Sequence, residues 1–190
     1  MPGLAPRCVA LVRHPSTPAP AVRRIDVELG PAPDGGLRLR YFLDGDTDAI
    51  ALPPIATPRQ TDGLWQHTCF EAFIGGKGAR PYCEFNFSPS TEWAAYGFSA
   101  YRDGMAPLTY STKPSVAISV AADRIALEAL IPLEAVRALP GDGTLLVGLA
   151  AVIEDRDGKL SYWALAHRAE KPDFHSAAGF VLEIERDSTW

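Results

Sequence analysis

Glu71, Tyr82, Glu84 and Asn86 are the side chains in this sequence whose types and spacing could do chemistry together. Two carboxyl groups about 5–10 Å apart serve most glycosidases as acid and base across a glycosidic bond. The same two carboxylates with the Asn86 amide offer the hard oxygens that calcium prefers. A structural reading stands beside both: a polar sheet face whose acids pair with Arg38 or Arg40 of a neighbouring strand. A second concentration of reactive groups runs from Tyr162 to His175, where His167, Lys171, Asp173 and His175 crowd one loop. Loops on a rigid β scaffold carry much of binding, and Asp173 beside His175 could fix an imidazole tautomer; a salt-bridged surface loop explains the same residues. Trp65, Trp93, Tyr96, Tyr101 and Trp163 are flat rings able to stack on a sugar, and equally the usual filling of a sandwich core.

These groups converge only if strands hold them. Thr68–Ile74 puts Thr68, Phe70, Ala72 and Ile74 on one face and Cys69, Glu71 and Phe73 on the other; in Tyr82–Ser88, Cys83, Phe85 and Phe87 oppose Tyr82, Glu84, Asn86 and Ser88. The link Gly75–Pro81 is rich in turn residues, so an antiparallel hairpin folded about Gly78 brings Glu71 opposite Asn86 or Glu84. Alternation predicts further strands at Cys8–Arg13, Val22–Leu29, Leu37–Asp44, Trp93–Tyr101, Val116–Ala121, Ile125–Ile131, Leu145–Glu154, Leu160–Ala166 and Gly179–Glu185. Pro132–Leu139 is the one helical piece, with Pro at its start. Gly45–Asp62, carrying Pro53, Pro54 and Pro58, is a long loop that folds over something or frames an opening. Many short strands with Gly and Pro turns and no βα alternation mean an all-β fold, an antiparallel β-sandwich of jelly-roll type with one short helix, and 190 residues fit one domain spanning 1–190.

Composition narrows the partners. A net charge of −5 and a pI near 5.3, with no cluster of Lys and Arg, argue against nucleic acid and against an anionic membrane. No run approaches a membrane span or the core of a signal peptide, so a cytoplasmic protein is expected. Cys69 and Cys83 lie on opposite strand faces and no CxxC occurs, which points to free thiols. GxSxG, HExxH, phosphate-loop and dinucleotide motifs are all absent from the sequence.

The runs LWQHTCFEAFI, YCEFNFSPSTEWAAYGF, ALEALIPLEAV and YWALAHRAEKPDFH resemble the DOMON-like superfamily, specifically its bacterial MurB-like DOMON subgroup, which is related to family-nine carbohydrate-binding modules; the resemblance extends from about Arg38 to Ile184. It implies a β-sandwich jelly roll that binds sugars or, in some cytochrome domains, haem. The family's tryptophan and acidic strand fall on Trp65 and Glu71, and its next strand on Glu84 and Asn86. Haem-binding relatives use a Met and a His as axial ligands, for which Met105 with His167 or His175 would stand here. The expectation is therefore a non-catalytic module for a carbohydrate or other small polar ligand. Trp65, Glu71, Tyr82, Glu84, Asn86, Trp93, Trp163, His167, Lys171, Asp173 and His175 are the candidate site, with calcium or haem as candidate cofactors. A glycoside-processing enzyme using Glu71 and Glu84, or a haem domain, are the alternatives.

Overall fold

The computed structural model describes residues 6–141 and 143–185. Its strands are β1 (Arg7–Arg13), β2 (Val22–Pro31), β3 (Leu37–Gly45), β4 (Cys69–Gly76), β5 (Tyr82–Phe87), β6 (Trp93–Phe98), β7 (Ala106–Pro107), β8 (Ser115–Ala121), β9 (Arg124–Ile131), β10 (Thr144–Glu154), β11 (Leu160–Ala164) and β12 (Leu182–Glu185), with one short helix, α1 (Leu133–Arg137). Every pairing between these strands is antiparallel. One sheet runs β1-β2-β3-β9-β8 and the other β7-β6-β5-β4-β10-β11, with β12 beside β10. Strand β1 joins them: Arg7–Leu11 pairs with β2, and Val12 and Arg13 turn to β11. The result is the expected antiparallel β-sandwich with a short helix.

The alternation seen in the sequence explains the packing. Ile25, Val27, Leu39, Tyr41 and Leu43 from one sheet meet Phe70, Ala72, Ile74, Phe85 and Phe87 from the other in the main core, each such side chain contributing about 1.5–3 kcal/mol by leaving water. Val22 is buried too, although simple alternation sets it with Arg24 and Asp26. A register shift between Val22 and Arg24 re-aims it inward.

In the sheet containing β4, both faces are covered. Every residue of β4 and β5 is buried, and a second apolar cluster of Phe73, Tyr82, Ala94, Tyr96, Phe98, Ala150, Ala164 and Phe180 lies on the face away from the main core. Loops form its roof. The expected strand Trp93–Tyr101 stops at Phe98, where the chain turns through Arg102 (φ 51°) and Gly104 (φ 66°). The expected strand Gly179–Glu185 begins at Leu182 behind a 3-10 turn at Ala177–Gly179, and Leu160–Ala166 ends at Ala164. The extra residues become loops that cross the sheet. No helix among the described residues is long and apolar enough to cross a membrane.

Candidate functional site

The hairpin register puts Glu71 opposite Asn86, Phe73 opposite Glu84 and Gly75 opposite Tyr82. Across the sheet, Asn86 pairs with Ala94 on one side, and Glu71 with Ala150 and then Ala164 on the other. Alanines thus flank the Asn86–Glu71 pair in its row, while the next row carries Tyr96, Glu84 and Phe73. Short side chains between tall ones make a hollow. It is a cavity of about 340 Å³ lined by Glu71, Glu84, Phe73, Phe98, Val152 and Tyr162 from the strands, and by Trp65, Arg102, Met105, Pro172, Phe174 and His175 from the loops.

The carboxyl groups are deep within it: Glu71 is 2% and Glu84 5% exposed, and Asn86 is wholly buried. Asn86 Nδ2 donates to Glu84 Oε1 at 2.8 Å, and its oxygen faces the Cys69 thiol at 3.8 Å. Glu71 Oε1 is buried without a hydrogen-bond partner among the described residues. Burial first and the neighbouring Glu84 charge second push the Glu71 carboxyl well above the ordinary range. Burial likewise raises Glu84, against the Asn86 amide and Arg102, which pull it down. Neither acid is paired with Arg38 or Arg40. Arg40 bonds Glu28 and Glu128 on the other sheet, so the structural reading of a polar face tied to those arginines is overturned.

Two loops meet over the acids. Burial holds the Tyr82 phenol above its usual pKa; its hydroxyl shares a hydrogen bond with His175 Nδ1 at 2.8 Å and accepts from the Arg102 backbone N–H at 3.2 Å. The other ring nitrogen of His175, Nε2, faces Glu84 Oε2 at 3.7 Å. Burial and then the Arg102 charge outweigh Asp173 and lower His175 to about 4, so the ring is neutral. Asp173, expected to fix the His175 tautomer, instead accepts the His175 backbone N–H, ion-pairs with Arg102 Nη2 at 2.9 Å and takes the Tyr101 hydroxyl at 2.8 Å, clasping one loop to the other.

Trp65 guards the rim at 36% exposure, carried on a 3-10 turn after Gly63 and packed edge-on to Tyr96 at 5.7 Å. Tyr96 is itself anchored by a hydrogen bond to Asp62 at 2.6 Å. Beyond Trp65 and Met105 a wider cleft of about 720 Å³ continues along the Gly45–Asp62 loop, which therefore frames an opening.

Of the expected site residues, Trp65, Glu71, Glu84 and His175 line the cavity, and Tyr82, Asn86 and Asp173 support it. Trp93 and Trp163 lie in the main core. His167 turns its Nε2 to the Val12 carbonyl at 2.8 Å and its ring edge to His14, and Lys171 is exposed outside the lining. The residues missed include Phe98, Arg102, Tyr162 and Phe174. Strand parity carried to β6 and β11 would have exchanged Trp93 for Phe98 and Trp163 for Tyr162.

The cofactor candidates fit poorly. Calcium needs six or more oxygens; here the Asn86 amide bonds Glu84 and turns its oxygen to Cys69, and no group of three or more His, Cys, Asp or Glu among the described residues could hold a metal. For haem, Met105 and His175 do share the cavity, but Nδ1 of His175 is engaged by Tyr82 and Nε2 is aimed at Glu84.

No protein-family model and no curated protein matches this sequence. Solved structures do share its fold. A presumed carbohydrate-binding protein from Bacteroides uniformis superposes with a TM-score of 0.70 at 16% identity, over 92% of this chain and 84% of that one. A family-nine carbohydrate-binding module from Caldicellulosiruptor kristjanssonii is similar in its glucose complex (TM-score 0.54, 12% identity, 90% of this chain and 78% of that one) and in its cellotriose complex (TM-score 0.50, 13% identity, 82% and 70%). At these identities the likeness is one of fold.

Proposed function

We propose that this protein is a non-catalytic carbohydrate-binding β-sandwich whose ligand enters the cavity over Glu71, Glu84 and Asn86. The observation that carries the reading is the pair of carboxyl groups, Glu71 and Glu84, that line one hollow with aromatic walls. A sugar hydroxyl is both donor and acceptor, so it can bond such a group whether or not the carboxyl keeps its proton. The C–H faces of a pyranose suit Trp65, Tyr162 and Phe174, and the cavity volume lies within the range of small-ligand pockets. The fold shared with a module solved in complex with glucose and cellotriose supports the same class of ligand.

Titration calorimetry with glucose, cellotriose and a panel of neutral oligosaccharides tests this. Binding to the wild type is expected, with a loss of about ten- to a hundredfold in Glu71→Ala and little change in Lys171→Ala. Absence of heat across the panel, or equal affinity in a folded Glu71→Ala, overturns it. The two carboxyls facing one reachable cavity, untied to arginine, favour glycoside hydrolysis as a second reading. Release of phenol from aryl glycosides by the wild type, abolished in Glu84→Gln, would support it.

A further inference from the structure

The strand ladder ends in two edges of different character. At one end β7 is a two-residue strand carrying Pro107, too short to template another chain. At the other, β8 is seven residues long, reads SVAISVA and carries neither charge nor proline, so it lacks the usual devices that blunt an exposed edge. Among the described strands β8 pairs with β9 alone.

The register determines what the open side offers. The β8–β9 turn closes at Ala121 and Arg124, so Ala121, Ser119, Ala117 and Ser115 direct their N–H and C=O groups to β9. Those of Val116, Ile118 and Val120 point outward. The sequence is close to symmetrical about Ile118. An antiparallel partner related by a two-fold axis there sets Ile118 against its own copy, Val116 against Val120 and Ala117 against Ser119, so outward-facing groups meet outward-facing groups throughout. Val120, at 53% exposure, is one of the large apolar side chains most open to solvent.

We infer that β8 is a self-association edge, through which two copies of this chain pair antiparallel about a two-fold axis at Ile118. The inference does not depend on the sugar reading, since β8 belongs to the sheet across the core from the cavity.

Sedimentation equilibrium of the full chain from micromolar to millimolar concentration is expected to show a monomer–dimer equilibrium. Val120→Lys should weaken it by about tenfold or more. The thermal midpoint of Val120→Lys should stay close to that of the wild type at concentrations where the wild type is monomeric, which separates lost pairing from a folding defect. In a Cys8→Ser background, oxidation of Ile118→Cys should yield a covalent dimer, because directly opposed residues lie at about 5.5 Å between Cα atoms, within disulfide reach. A monomer at every concentration overturns the inference, as does a dimer that ignores Val120→Lys and does not cross-link at position 118. A monomeric wild type that captures another segment through β8 assigns the edge to that partner and overturns self-association.

Discussion

Glu71 and His175 share one cavity and have pKa values displaced in opposite directions, and the signs can be worked out. Glu71 binds its proton more tightly in the folded protein than in the unfolded chain, because burial and then the Glu84 charge disfavour its ionised form. Above the ordinary glutamate value of about 4.3 the unfolded chain releases that proton while the folded protein keeps it, so stability declines with rising pH until the folded value is passed. His175, lowered to about 4 by burial and then Arg102, works the other way. Its contribution is intact above the unfolded value of about 6.5 and is lost as pH falls toward about 4. Urea midpoints measured across pH should therefore fall on both sides of an intermediate optimum. Glu71→Gln is neutral at all pH and should flatten the alkaline side, leaving the variant as stable as wild type or more so at neutral pH. His175→Asn, which can still accept from Tyr82, should flatten the acid side; the slope it removes amounts to about 1–2 kcal/mol once solvent screening in a partly open site is allowed for. Unchanged slopes in both variants would show that these groups are not buried as described.

At the scale of elements, the hairpin β4–β5 was legible because one rule decides it: residues two apart share a face, and the greasier face turns inward. The same rule makes a sharp prediction for β6, where Trp93 and Ala95 face the main core while Tyr96 and Phe98 face the cavity. Trp93→Ala should cost about 3–5 kcal/mol of stability, as deletion of a large core ring does, and should leave sugar affinity nearly unchanged where the protein remains folded. Phe98→Ala removes a ring stacked on Tyr82 at 4.8 Å and edge-on to His175 at 5.0 Å. It should cost less stability and weaken binding by about tenfold or more. Denaturant curves and calorimetry on the two variants check this, and a reversal of the two effects would mean that the faces of β6 are misassigned. The rest of the site was not legible for a physical reason. Arg102, Met105, Pro172 and Phe174 come from loops whose paths depend on contacts between segments far apart in sequence, such as Asp173 with Arg102 and Tyr101, and no local periodicity encodes such contacts. For the same reason His167 and His175, alike in sequence context, end in unrelated places.

For the molecule as a whole, the sheet containing β4 divides two apolar clusters of unequal size, one between the sheets and a smaller one beneath the roof loops. The sequence signals the first through strand periodicity; the second it signals only in part, because Phe180 and Phe174, which close it, come from a loop. This inequality predicts unequal stability. The segment from Leu165 to Val181 holds to the sheet through Phe174, Phe180, His175 and the Asp173 clasp, and its only regular element is one 3-10 turn. Strands β3, β4 and β10 are laddered on both sides and buried. In native-state hydrogen exchange, amides of the segment should open with free energies well below that of global unfolding, while those of β4 and β10 should track it. A bound sugar should slow the segment selectively, since it contacts the roof as well as the floor. Gly148 is the lever for the converse. A Cβ built there would lie 2.8 Å from Cδ1 of Phe180 and 3.3 Å from the Gly179 carbonyl, so Gly148→Ala should lift the end of the segment, at about 1–3 kcal/mol. Its exchange should accelerate while the amides of β3 are unaffected. Uniform exchange across segment and strands, or a Gly148→Ala effect spread evenly over both sheets, would show that roof and sandwich open as one unit.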